Sequence, residues 1–173
     1  MKAGFFPMLA VSGMRKNRQL YTPYLLACAG IVCVSYIVAF LGVSPVIRAM
    51  RGGTSTTMIL QLGKGVMAVF SAIFLFYSHS FLIRRRKREF GLYNVLGMGK
   101  GNIARVLLWE TAITYGVTAG AGLILGVVLY KLAELGLVRL LRDTVTYTLS
   151  VSVSSLLVTA ALFAVIQALI LLN

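Results

Sequence analysis

The sequence predicts an all-α integral membrane protein with four transmembrane helices, both termini cytoplasmic, and a cytoplasmic helix extending from the second span. Three observations lead there. Hydrophobic residues fill 59% of the 173 positions and charged residues only 12%, against roughly 45–50% and about 25% in an ordinary soluble domain. Four apolar runs each approach the roughly 20 residues that a helix needs to cross about 30 Å of hydrocarbon. The stretches between those runs hold nearly all the charge, and the mean hydropathy is +0.90.

The elements follow in chain order. In residues 1–23, apolar Phe5, Phe6, Met8, Leu9 and Val11 precede Arg15, Lys16 and Arg18. This pattern suits an interfacial helix on the cytoplasmic face or a basic flank anchoring the first span, and the basic cluster interrupts it too early for a signal-peptide core. The first span is expected over 24–43, an outer loop over 44–58, and the second span over 59–83 with Lys64 at its outer end. Residues 84–110 form the long cytoplasmic connection and 111–133 the third span. The outer loop 134–151 ends in TVTYTLSVSVS, whose period-two alternation is a strand signal. An isolated strand cannot satisfy its backbone in a bilayer, so this stretch is expected outside, as extended chain or the start of a helix with Ser152 or Ser154 as N-cap. The fourth span is expected over 152–173.

Charge assigns the sides. Of seventeen Lys and Arg, eleven lie in the N-terminal stretch and the second loop, and six in the other two loops. An excess of Lys and Arg marks cytoplasmic loops, and the run Arg84, Arg85, Arg86, Lys87 and Arg88 supplies most of the margin. That run is expected to face anionic lipid and to fix topology. A nucleic-acid partner would need a solvated basic domain, for which this composition leaves no room. One His, two Cys and four carboxylates do not furnish an ordinary catalytic or metal-binding constellation, so the chain is expected to be no enzyme. Cys28 and Cys33 lie five helical steps apart, about 500° of rotation, on different faces, and are expected to be packing groups rather than a disulfide.

The second cytoplasmic loop is the most informative segment. From FYSHSFLIRRRKREF no Pro or Gly interrupts the chain until Gly91, so the helix of the second span is expected to continue into the cytoplasm. Beyond the arginines, Phe90, Tyr93 and Gly97 recur at three- and four-residue spacing, and Leu92, Val95 and Leu96 widen an apolar face. Such a face needs a cover, either headgroups or another protein. Gly97, Gly99 and Gly101 are expected to end the helix and turn the chain. GMGKGN fits neither a P-loop nor a dinucleotide fingerprint, because Asn94 and Asn102 stand where required glycines belong.

The stretch RKREFGLYNVLGMGK, Arg86 to Lys100, resembles the signature of FtsX-like ABC-transporter permeases, specifically of the bacitracin-resistance (BceB-like) type. Supporting it are Tyr77-Ser78-His79-Ser80-Phe81-Leu82, Ile103-Ala104-Arg105 with Glu110, Arg15-Lys16-Asn17-Arg18 and Tyr21-Thr22-Pro23-Tyr24. The resemblance implies that the cytoplasmic helix is a coupling element docking on a separate ABC ATPase, with Glu89, Phe90, Tyr93, Leu96 and Gly97 as docking residues. ATP would be bound by that partner and no cofactor by this chain. Further implied partners are the remainder of the permease, membrane lipids and a sensor histidine kinase. The implied setting is the bacterial cell membrane and the implied task antimicrobial-peptide resistance or protection of lipid-linked cell-wall precursors. The alternatives are an FtsX-type regulator of cell-wall hydrolases, which the short 44–58 loop disfavours, and a standalone four-helix membrane protein. Permeases of the bacitracin type resemble ten-span proteins with a large extracellular domain, whereas this sequence stops at Asn173 and resembles the N-terminal portion of one.

Within the third span Gly116, Gly120, Gly122 and Gly126 form two GxxxG pairs, expected to let another helix approach closely. Thr159 and Gln167 of the fourth span are candidate interhelical hydrogen-bonding groups. His79, near the cytoplasmic end of the second span, is expected to stay hydrated.

Overall fold

The computed structural model of the chain describes residues 5–49, 52–95, 99–140 and 153–172, and all of these that are regular are α-helical. The helices are α1 (Phe5–Lys16), α2 (Arg18–Leu41), α3 (Pro45–Ala49), α4 (Gly53–Val95), α5 (Lys100–Leu140) and α6 (Val153–Leu172). Three helical stretches among the described residues are long and apolar enough to cross a membrane: Arg18–Ala49, Gly53–Arg85 and Gly101–Gly136. Within α6 the apolar stretch among the described residues is Ser154–Ile170.

Helix boundaries depart from the hydropathy runs because charge ends an apolar window without ending a hydrogen-bonded helix. The amphipathic N-terminal stretch breaks at Asn17, whose carbonyl accepts from the Leu20 and Tyr21 amides at 2.9 and 3.2 Å and so starts α2. The helix of the first span therefore begins at Arg18 and carries Pro23 in its interior, where the ring removes a donor to the preceding turn. The Thr22 hydroxyl donates to the Arg18 carbonyl at 2.7 Å in that same turn. At the other end, α6 begins at Val153, so Ser154 lies inside the helix rather than capping it; Ser152 lies outside the described residues. Gly99 opens α5 by accepting from the Asn102 and Ile103 amides at 2.9 and 3.3 Å, and Gly101 belongs to the first turn of α5 instead of the preceding turn.

α2 is the central helix. Half of the first span's apolar window is buried within the chain, against 22% and 28% for the second and third. Its stripe of Tyr21, Tyr24, Cys28 and Val32 meets Leu75 and Leu82 of α4 and Phe163, Ile166 and Ile170 of α6. Higher up, Tyr36 and Phe40 cluster with Tyr130 of α5, the Phe40 and Tyr130 ring centroids lying 4.4 Å apart. α6 lies against α2, α4 and α5, and the Tyr115 hydroxyl donates to the Ala160 carbonyl at 2.8 Å. Both Cys28 and Cys33 are free and buried.

The closest helix approach is α2 against α5, and it uses two of the four glycines. A Cβ on Gly122 would come within 2.6 Å of the Val32 Cβ and 2.7 Å of the Ala29 carbonyl oxygen; one on Gly126 would come within 2.8 Å of the Tyr36 ring. Gly116 and Gly120 differ from the expectation, since a Cβ on either meets nothing within 4 Å. Both GxxxG pairs, Gly116 with Gly120 and Gly122 with Gly126, are therefore present, but only the second forms an interface within the described residues.

The corner between α2 and α4 is built rather than open. Pro45 begins α3, a position where its missing N–H costs nothing. Val46 and Ile47 are buried with Leu41. Gly52 takes φ +77° and a Cβ on Gly53 would collide with the Ile47 and Arg48 carbonyls. Ser44, just before α3, donates from Oγ to Glu134 Oε1 of α5 at 2.6 Å, and Lys131 Nζ donates to Glu134 Oε2 at 2.8 Å. With Glu134 only 1% exposed, this is a paired buried carboxylate, which such burial requires.

The seam makes a differential prediction. Gly122→Val should overpack α2 against α5 and lower stability by about 1–3 kcal/mol, read as earlier thermal unfolding in detergent. Gly120→Leu, facing open space, should unfold with the unaltered chain. Equal tolerance of both would show that the glycines do not set the contact.

Candidate partner-docking site

α4 is the element that leaves the bundle. It runs unbroken for 43 residues, and its candidate span, Gly53–Arg85 among the described residues, runs into the basic stretch that begins at Arg84. Ten residues beyond Arg85 carry it to Val95, about 15 Å at 1.5 Å per residue. Arg84 and Arg85 are exposed, and the Arg85 guanidinium carbon sits 5.0 Å from the centroid of the Phe81 ring, a cation–π distance. Along the extension Gly91, Leu92 and Val95 are exposed, Leu92 at 59% and Val95 at 85%. Two large apolar groups thus stand uncovered on a helix just beyond the candidate span. The backbone is helical through Arg86, Lys87, Arg88, Glu89, Phe90 and Tyr93, but their side chains lie outside the described residues, as do Leu96 and Gly97 entirely.

Neighbouring elements frame this extension. α5 starts at Lys100, only five residues after α4 ends, so a short connection joins the two long helices. α1 lies on the first part of α5 through fully buried Ala10 against Val106, with Leu9 and Ile113 around them. The amphipathic N-terminal stretch is thus tied to protein, a contact its sequence did not distinguish from lying on lipid. Glu110 is buried on α5, and Arg105 stands exposed. His79 is buried at 7%, contrary to a hydrated position, because it shares α4's inward stripe with Ser71, Leu75 and Leu82 at three- and four-residue spacings.

The buried group that sequence reading missed is Glu134, assigned there to an outer loop. A signal was present: Lys131 three residues before it and apolar Leu132 and Leu135 beside it continue the helical pattern past the predicted end of the span. Among the described residues no group of three or more His, Cys, Asp or Glu could hold a metal ion.

Comparison with known proteins accounts for the architecture. The family described as FtsX-like permease C-terminal matches residues 62–172. The bacitracin export permease protein BceB of Halalkalibacterium halodurans is 29% identical over 164 residues, 95% of this chain and 25% of the relative. BceB of Bacillus subtilis is 25% identical over the same coverage. The uncharacterized ABC transporter permease YvcS of Bacillus subtilis is 26% identical over 160 residues, 91% of this chain and 25% of the relative. The chain thus spans about a quarter of the length of these relatives. With the family match covering most of its length and three helices in its fold long and apolar enough to cross a membrane, this membrane protein belongs to the FtsX-like permease family, with homology to the bacitracin export permeases.

Proposed function

We propose that the chain is part of the permease subunit of an ABC transporter, in which α4 converts ATP hydrolysis by a partner ATPase into motion of membrane helices. The observation that carries this reading is the continuity of α4: one helix joins the outer corner at Gly53 to an extension ending at Val95, with apolar Leu92 and Val95 uncovered. A continuous helix has no joint at which a displacement applied to its tip would be absorbed, since every interior amide is tied to the preceding turn. The uncovered residues are suited to a partner's groove, where an amphipathic helix docks by its apolar face. Glu89, Phe90, Tyr93, Leu96 and Gly97 are the proposed docking residues, and Arg84 to Arg88 the lipid-facing belt. The chain performs no bond chemistry of its own.

By likeness to the bacitracin export permeases, the task is resistance to antimicrobial peptides of the bacitracin kind, by removing or freeing peptide at lipid-linked cell-wall precursors. A sensor histidine kinase is a candidate further partner and the remaining permease spans a necessary one. The corner between α2 and α4 is occupied by five-residue α3, which favours this reading over a hydrolase regulator with a domain at that position. α6 supplies the proposed fourth span: twenty residues rise about 30 Å, and its polar Thr159 and Gln167 are turned into the bundle. Both termini then face the cytoplasm.

Two outcomes are expected. Cysteine placed at exposed Thr54 should label with an impermeant reagent in intact cells, and cysteine at Gly99 only after permeabilisation; outside labelling at Gly99 contradicts both orientation and docking. In the complete permease, Phe90→Ala with Tyr93→Ala should abolish co-purification with the cognate ATPase and remove resistance at unchanged membrane level, each truncated anchor costing roughly 2 kcal/mol or more. Neutralising Arg84 and Arg85 should weaken anionic-lipid contact by about 1 kcal/mol per charge and spare docking. Full ATPase binding by the double aromatic variant would remove the docking assignment.

A further inference from the structure

Alongside the interface of α2 and α4 the two helices stand apart and leave a groove of about 320 Å³. Pro23 and Ala27 line it from α2, and Phe74, Tyr77 and Phe81 from α4. The small Ala27 faces large rings, so the helices do not close on each other here. Tyr77 is 73% exposed and Phe81 47%, so the slot opens onto the outside of the bundle, the side that a membrane protein turns to lipid.

Charge gathers at one end of this slot. α2 begins at Arg18, two residues before groove-lining Leu20, and α4 reaches Arg84 and Arg85 just after groove-lining Leu82. Arg15 and Lys16 lie a turn further out on α1. Arg85 is held against the groove wall by its stacking over Phe81 at 5.0 Å. The sequence carries no Asp or Glu before Glu89, four residues beyond Arg85 on α4, so the basic residues Arg15, Lys16, Arg18, Arg84 and Arg85 dominate this end of the slot.

An apolar slot that ends in cations is complementary to a molecule with a hydrocarbon tail and an anionic head. We propose that this groove binds an acyl chain of an anionic glycerophospholipid of the cytoplasmic leaflet, with Arg84 and Arg85 at its phosphate. Charge favours a lipid over another apolar helix, because the basic residues Arg18, Arg84 and Arg85 near the end of the slot call for an anion that an apolar helix face does not carry. A charged guanidinium at headgroup depth with its stem along apolar surface is also the arrangement that long basic side chains adopt at membranes. The proposal is independent of ATPase docking and shares with it only the orientation that names the leaflet.

Native mass spectrometry of the purified 173-residue chain, titrated with phosphatidylglycerol and phosphatidylcholine of identical acyl chains, tests it. The unaltered chain should retain phosphatidylglycerol several-fold better. Arg84→Gln with Arg85→Gln should bring the two lipids to parity, and Ala27→Phe, which fills the slot, should lower phosphatidylglycerol retention several-fold. Equal retention of both lipids by the unaltered chain overturns the proposal, as does full retention by a folded Ala27→Phe variant. Because the larger side chain can disturb folding, the unaltered chain should also be photolysed with phosphatidylglycerol carrying a diazirine in its acyl chain. Cross-links in the α2 and α4 segments that contain Ala27 and Phe81 support the site, and cross-links confined to α5 or α6 overturn it.

Discussion

The rest of the fold depends on how closely α5 lies against α2. In lipid the hydrophobic effect does not drive helices together, so association comes from close van der Waals packing and from hydrogen bonds between helices. Gly122 and Gly126 provide the packing, because their bare backbones accept Ala29, Val32 and Tyr36 at distances that any side chain would forbid. That seam sets the height of everything else on α5. Past Gly126 it lays Tyr130 on Phe40 and carries Glu134 to Ser44. Toward the other end, Val106 becomes the seat of Ala10 on α1. The Glu134 contacts act as a register mark: a carboxylate that is 1% exposed is tolerable only where Ser44 and Lys131 meet it, so sliding α5 along α2 would strand it.

Against this fixed pair α4 is the loosely held element. Only 22% of its apolar window is buried, although it is the longest helix. Its inward stripe of Ser71, Leu75, His79 and Leu82 touches the bundle, while most of its other large side chains face outward. The same geometry opens the groove beside Ala27 and leaves Leu92 and Val95 uncovered. A helix held along one narrow edge and continued beyond its apolar stretch can move as a unit, which is why the proposed coupling is assigned to α4 and not to the better buried α2.

The sequence made the first three spans legible because about twenty apolar residues in a row have few other physical explanations, and three helices among the described residues are long and apolar enough to cross a membrane. It also made the continuation beyond Arg85 legible, since no Pro or Gly intervenes before Gly91. Ends and faces were harder to read. Hydropathy marks where charge begins, whereas a helix stops where its hydrogen bonds stop, so α2 starts at Arg18 rather than at residue 24 and α4 at Gly53 rather than 59. Spacing alone put four glycines in two equivalent pairs, and only the position of α2 singles out Gly122 and Gly126. Glu134 was hidden because a carboxylate next to Lys131 reads as solvated; its burial comes from the α3 corner, which depends on a positive φ at Gly52. Of the site, the position of the helical extension was legible. Its partner surface depends on Phe90 and Tyr93, for which the sequence offers spacing alone.

The central claim is that α4 is a rigid arm that moves whole relative to the α2–α5 pair. Electron–electron double resonance between spin labels at Ser55 and Leu92, both exposed on α4, in the complete permease assembled with its ATPase, measures this directly. The length of helix between them sets a separation of about 55 Å at 1.5 Å per residue. The account predicts that this distance is the same without nucleotide and with ATP bound. A shortening on ATP binding would mean that α4 bends or breaks at the membrane boundary, and would contradict the account.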